Sequence, residues 1–475
     1  MGQYIVSLDI GTSSVRAAAF TQEGPTCIKA LPLIPRRPKE RCSEYEAEEL
    51  LSAAMEVLRQ VLEEVGPAKI KALGISSQRS TIVLWDKNTG QVLGPILTWE
   101  DGRALEQARQ ATISQEELHM RTGLYKTPYF SAPKIAWMLT HLPQVQAAQK
   151  NGTLCAAPIA SFLIWKLTNG TVFSTDVTLA QRTLLLDIRT GKWSAQLCEA
   201  FSISPTILPS LKSSVDDYGS YLYKGVAIPI RACVADQQAA SCALKEGQMS
   251  INYGTGAFVL QHVGTQNRVL PGLLTSLVPS FSGGSLQYLL EGPVNAAGSA
   301  FLWLNAQGLK IEMNQMDDVC KKSLHPLQIL PALGGLGAPY WNFSLSPVVQ
   351  GINSQTTEAD WCAGLVHGIC FLIADIVQYM RLHQIQVKGP IAVAGGLANS
   401  AYLLQFQTDL LQQSLLRNQE VEATLLGVAR LLGNETKQNV STVFKPKISS
   451  CQADKLYRCW QQFVEDSIGQ KKPRF

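Results

Sequence analysis

One pattern constrains this chain more than any other: a strand, a Gly/Thr turn and a second strand, met once in each half. Tyr4-Ile5-Val6-Ser7-Leu8 reads as a buried strand. It stops at Asp9-Ile10-Gly11-Thr12-Ser13-Ser14 and resumes as Val15-Arg16-Ala17-Ala18-Ala19-Phe20. Far downstream, Met249-Ser250-Ile251-Asn252-Tyr253 runs into Gly254-Thr255-Gly256 and then Ala257-Phe258-Val259-Leu260. The spacing is too long for a solenoid repeat. It predicts two related domains that face one another, 1–245 and 246–475, with no low-complexity linker between them.

Between the hairpins, short β-rich runs alternate with longer helical patterns, so the predicted class is α/β. Residues 44–64 have helical spacing, with Leu50, Leu51, Ala54, Leu58 and Val61 on one face. Residues 70–76 and 81–86 read as strands. A chain of 475 residues is too long for one ordinary core. With 46% hydrophobic and 16% charged residues it is neither disordered nor collagen-like.

Other classes drop out on charge and apolar length. The formal charge is 41 − 37 = +4, without basic runs, which argues against a nucleic-acid partner. The tail Lys471-Lys472-Pro473-Arg474 reads as a solvated end. The stretch 154–165 reads as the most apolar one; it is short and holds Pro158, whereas a span needs about 20 residues. Asp9 interrupts the first apolar run, so no signal peptide or membrane insertion is expected. Eleven scattered cysteines without a CxxC pair suit reduced thiols in a cytoplasm. Oligomeric state has no signature, and a homo-oligomer is left open.

The turn from Asp9 to Arg16 has the logic of a phosphate cradle. Glycine lets backbone approach an anion, and successive N–H groups with hydroxyls make a concave donor site. Arg16 can neutralise phosphate charge, and Asp9 can hold Mg²⁺. Read alone, this turn is better explained as an ordinary polar hairpin. Two opposed hairpins favour a nucleotide clasped between domains. Asp236 opens a helix after the strand ending Cys233-Val234-Ala235. It reads as an N-cap or as a base for a substrate hydroxyl, and the two roles are compatible. Gly395-Gly396 follows another strand, and such a turn can border a nucleotide or simply join strand to helix.

With these residues in place, the chain resembles the FGGY family of carbohydrate kinases along nearly its whole length. One signature runs from Tyr129 and Ser131 through Lys134, Trp137, Met138, Thr140 and His141. A second runs from Gly395-Gly396 to Gln405-Phe406-Gln407-Thr408-Asp409. Leu290-Glu291-Gly292, the 331–341 stretch and Thr175-Asp176 to Arg182-Thr183 place it nearest the glycerol-kinase branch.

The resemblance implies two RNase H-like (actin-like ATPase) domains with a ligand cleft between them. It implies that Thr12, Ser13, Ser14 and Arg16 meet the phosphates of ATP, with Gly254 and Thr255 opposite. Gly298, Gly395, Gly396 and Asn399 or Ser400 would border adenosine. Arg79, Ser80, Tyr129, Asp236 and Gln237 fall at polyol-contacting positions, with Trp99 and Phe258 as apolar walls. Asp236 would be the base, and Mg²⁺ would lie near Asp9 and Asp236.

The chain departs from the glycerol-kinase pattern at Ser80, where a Glu is usual, and at Ala160, Ala235 and Leu302. The expected activity is ATP- and Mg²⁺-dependent phosphorylation of a primary hydroxyl on a small polyol or sugar. The alternatives are a kinase of ketoses or larger polyols, a catalytically weak polyol and nucleotide sensor, and an actin-like ATPase.

Overall fold

The computed structural model describes residues 3–309, 311–417, 422–435 and 442–469; the basic tail at 471–474 lies outside them. Two large sheets repeat one plan. The first contains β1 (Tyr4–Ile10), β2 (Ser14–Thr21), β3 (Gly24–Pro32), β4 (Ile70–Ser77), β5 (Ser220–Tyr223) and β6 (Val226–Ala235), in the order β5-β6-β4-β1-β2-β3. β1, β2 and β3 form an antiparallel meander, and β4 and β6 add in parallel.

The second sheet contains β7 (Met249–Tyr253), β8 (Ala257–Gly264), β9 (Leu274–Leu277), β10 (Tyr288–Val294), β11 (Ile391–Ala394), β12 (Leu415–Arg417) and β13 (Thr442–Phe444). Its order is β9-β10-β8-β7-β11-β12-β13. Here too a hairpin and a third antiparallel strand are followed by two parallel additions. This is the RNase H-like plan twice over, and the architecture is a two-domain mixed α/β fold.

Each sheet owns a core. The helix Ala47–Val65 buries Leu50, Ala54, Leu58 and Val61 against the first sheet, the period-3.6 stripe expected of it. Leu51 is half-buried. The helix does not begin at 44. Glu44–Tyr45 is a short strand paired with Leu97 and Ile96, so the apparent periodicity ran three residues too far. A small third sheet of 44–45, 96–97, 82–86 and 154–158 carries its own core, which includes Phe130 and borders Tyr129.

The second core is built on the helix Glu358–Leu382, started by a capping box of Thr357 and Asp360. This helix is long and apolar enough to cross a membrane, at mean hydropathy 1.6, which the reading of 154–165 as the most apolar stretch overlooked. Its apolarity has another cause, since 89% of that window is buried inside the protein. Helix Ala423–Leu431, late in the second half, returns to the first sheet. Leu425, Leu426 and Ala429 pack on Ile5, Ala18 and Phe20.

Candidate active site

Parallel strands that end together collect the loops that follow them, and such ends are where open α/β sheets hold ligands. Here β1, β4 and β6 end in register: Asp9 lies beside Ser76, Ser76 beside Val234, and Ser77 beside Ala235. Three segments therefore meet: the Gly11–Ser14 turn, the loop 78–81, and Asp236.

The first turn is closed by Gly11 N–H donating to the Ser14 carbonyl at 3.0 Å. The Thr12 carbonyl accepts from Tyr45 Oη at 2.6 Å. Trp99 Nε1 donates to Thr12 Oγ1 at 2.9 Å, and the Trp99 and Tyr129 rings lie 5.4 Å apart. Ser13 is exposed and Ser14 opens β2. Asp9 is wholly buried; its Oδ2 accepts from Arg16 Nη2 at 2.6 Å and its Oδ1 from Ser76 Oγ at 2.9 Å. Burial raises the Asp9 pKa, opposed by Arg16. Arg16 also reaches across to Glu422 at 2.5 Å.

Asp236 is the first residue of the helix Asp236–Ala240 rather than its N-cap, which is Ala235. Its carboxylate turns onto its own neighbour, accepting from Gln237 N–H at 2.8 Å. Burial pushes its pKa up to about 6, with Arg79 opposing and Asp9 reinforcing the shift. A half-buried carboxylate with that pKa can take a proton near neutral pH. Asp236, Gln237, Asn252 and Phe258 line one cavity of about 360 Å³ between the halves. The buried Gln237 Oε1 has no hydrogen-bond partner there.

In the second half, β7 ends at the Gly254–Gly256 turn beside the end of β11, with Asn252 paired to Ala394. Gly254 N–H donates to the Gly256 carbonyl at 2.8 Å. Gly298 N–H donates to the Gly254 carbonyl at 2.9 Å, and a Cβ at Gly298 would lie 2.8 Å from that oxygen. Gly395 has φ +96°, and a Cβ there would strike the Tyr253 carbonyl at 2.3 Å, so only glycine fits. Gly396 is open and exposed.

The pair Asn399 and Ser400 separates. Ser400 caps the helix Ala401–Leu411, accepting from Leu403 N–H at 3.0 Å, and its hydroxyl donates to Asp317. Its side chain is committed to the helix start, and Asn399 is the exposed member of the pair.

A buried charge cluster was not foreseen. Glu291 on β10 accepts from Arg79 Nη1 at 3.1 Å and Nη2 at 3.0 Å. It also accepts from Arg182 Nη2 at 2.6 Å and Ser276 Oγ at 2.8 Å. Burial opposes its ionisation, but Arg182 and Arg79 outweigh this and hold the carboxyl well below its ordinary range. Glu291 and Arg182 stood inside recognised stretches and Arg79 among the expected polyol contacts, yet nothing local told that they meet. Ser80, beside Arg79, has φ +63° and a buried Oγ without a partner.

Models of the FGGY family of carbohydrate kinases match this chain, the N-terminal domain over residues 4–243 and the C-terminal domain over 249–434. The chain belongs to that family. As an FGGY member it is an ATP-dependent carbohydrate or polyol kinase. It is 33% identical to a glycerol kinase of Lactobacillus acidophilus across 98% of each chain. It is 34% identical to one of Mycoplasma mycoides, covering 98% of this chain and 97% of that one. A solved Plasmodium falciparum glycerol kinase with ADP superposes with a TM-score of 0.92 at 27% identity, over 98% of both chains. A ligand-bound xylulose kinase from Lactobacillus acidophilus shares the FGGY fold, with a TM-score of 0.84 at 19% identity over 98% of both chains.

Proposed function

We propose that this kinase transfers the γ-phosphoryl group of ATP to a primary hydroxyl of a small polyol, with glycerol the leading acceptor. The observation that carries it is the placement of Asp236, a carboxylate with raised pKa that feels Arg79 and lines one cavity with Gln237, Asn252 and Phe258. The glycerol kinases among its relatives support the acceptor, and the ADP-bound neighbour supports the nucleotide.

In this reading Arg79, Tyr129 and Gln237 orient the polyol between Trp99 and Phe258. Asp236 takes the hydroxyl proton while the oxygen bonds to the γ-phosphorus, and the bond to the ADP oxygen breaks. Thr12, Ser13, Ser14, Arg16, Gly254 and Thr255 contact the phosphates. Gly298, Gly395, Gly396 and Asn399 border adenosine.

Mg²⁺ fits the donor set in one mode. Asp9 and Asp236 are hard oxygen ligands, and no cluster of three or more metal-binding side chains occurs among the described residues. Such ions are held by one or two carboxylates together with substrate phosphates. Bound so, Mg²⁺ would neutralise charge on the transferring group. The eleven cysteines are all free, which suits a reducing cytoplasm.

Ser80 favours a second acceptor class, ketoses or longer polyols. It stands where a carboxylate is usual and offers a short, buried hydroxyl that lacks a partner. ATP turnover over an acceptor panel tests both readings. Turnover that depends on a polyol supports the kinase; turnover without acceptor would make it an ATPase, and none at all a sensor. On the second reading glycerol has a high KM, a longer polyol or ketose does better, and Ser80→Glu improves glycerol by about tenfold or more. Tight glycerol use with rejection of larger acceptors would end that reading.

A further inference from the structure

Lys134 is fully buried, and among the described residues it forms no ion pair. Asp101 is the charged group that acts on it, and that carboxylate is already bound by Arg103 and Ser43 N–H. Burial brings the Lys134 pKa down to about 7. A buried ammonium is costly, and an apolar side chain of similar volume would serve the core at least as well. Its donors show what it does instead. Lys134 Nζ donates to the Ser80 carbonyl at 3.2 Å and to the Tyr129 carbonyl.

Those carbonyls belong to two otherwise separate segments. Ser80 follows Arg79 in a left-handed conformation that a serine adopts at a cost of about 1 kcal/mol or more. The same loop holds its neighbours: Thr81 Oγ1 donates to Gln78 Oε1 at 3.0 Å and accepts from Trp99 N–H at 3.1 Å. Gln78 Nε2 in turn donates to the Gly11 carbonyl at 3.1 Å. One ammonium thus ties the strained turn carrying Arg79 to the segment carrying Tyr129.

We propose that Lys134 is a positioning residue for the acceptor, fixing the Ser80 and Tyr129 backbones so that Arg79 and Tyr129 face one polyol. This rests on the reading of those two side chains as polyol contacts. The ammonium does not touch substrate; it acts by pinning two peptide carbonyls that an apolar replacement would release.

The test uses the full chain with Lys134→Met and Lys134→Gln. For Lys134→Met the acceptor KM should rise about 10- to 100-fold, the scale of lost charge-assisted hydrogen bonds. The ATP KM should stay within about twofold, because the phosphate hairpins are untouched. Lys134→Gln, which keeps amide donors, should recover part of the acceptor affinity.

Amide hydrogen exchange gives a readout independent of turnover. Exchange at 79–81 and 129–132 should quicken in Lys134→Met while 11–14 keeps its protection. Unchanged exchange there, an unchanged acceptor KM, equal rises in both KM values, or the failure of both variants to fold would each overturn the proposal. A wild type inert on every acceptor would instead overturn the polyol reading, and the exchange result would still decide whether Lys134 pins the two segments.

Discussion

Ion pairs bridge the halves of this kinase at two places, and the two differ in kind. Arg79 and Arg182 meet Glu291 in the interior, with side chains 3%, 1% and 1% exposed. Arg16 meets Glu422 with side chains 27% and 23% exposed. A buried, multiply bonded carboxylate cannot lose one partner without stranding charge in a low-dielectric interior. A water-accessible pair is worth little, and solvent can replace either partner. The first is therefore a fixed contact between the halves. The second can be broken, as it must be if Arg16 is to turn towards phosphate.

The packing around each pair agrees. Beside the interior pair, Gln181 Nε2 donates to the Thr275 carbonyl at 2.6 Å and Leu277 N–H donates to Gln181 Oε1 at 2.8 Å, stitching the two halves side by side. Glu422 sits at the start of Ala423–Leu431 with φ +63°, at the edge of the cleft.

Replacing Glu291 should break the comparison hardest. Glu291→Gln strands two buried guanidinium groups and should cost about 3–5 kcal/mol. For domains of this size that lowers the thermal midpoint on the order of 10 °C. A calorimetric scan showing a shift of only a degree or two would place this pair with the exposed one.

Asp236 feels charges from both places: Arg79 lowers its pKa and Asp9 raises it. Asp236→Asn should lower kcat by about 10²- to 10⁴-fold while leaving ATP affinity unchanged. Near-normal turnover in the folded variant would remove Asp236 from the chemistry.

Its pH behaviour follows from the raised value. The base is available only when ionised, so kcat/KM should fall about tenfold per pH unit below about 6 and level off above it. Between the ordinary value of 3.8 and about 6 the folded chain binds this proton more readily than the unfolded chain. The group's contribution to stability therefore declines as pH rises through that window and is constant above it. At pH 8 Asp236→Asn should be at least as thermostable as wild type, and a lower midpoint would contradict the sign.

Glu422→Gln should have the smallest effect. Stability should change by less than about 1 kcal/mol, because the pair is partly solvated. The ATP KM should hold or fall by about threefold at most, since Arg16 no longer has to leave a carboxylate. Steady-state titrations at low and high ionic strength check this, because salt should shrink the difference from wild type. A large loss of ATP affinity would show that Glu422 helps to hold the nucleotide.

What the residues themselves determined is local. A Gly/Thr turn between two apolar runs specifies a hairpin within about ten positions, and both hairpins formed where the runs are interrupted. The strand end before Asp236 and the Gly-Gly turn at 395–396 were legible for the same reason, since backbone sterics act over one or two residues. Where periodicity was the only guide the boundary slipped, as at Glu44–Tyr45, because a pairing strand 50 residues away outcompeted the helix.

The tertiary structure alone decided which charges meet. Glu291 lies 212 residues from Arg79 and 109 from Arg182, and Glu422 lies 406 from Arg16. A buried ion finds its counter-ion only when packing removes water from both, and no short stretch of chain encodes that event. The same holds for Lys134, whose partners are backbone carbonyls that carry no mark in the sequence. It holds for Ser400, whose hydroxyl bonds Asp317 and a helix start. Local chemistry laid out the turns and the base; long-range burial chose the contacts that aim them.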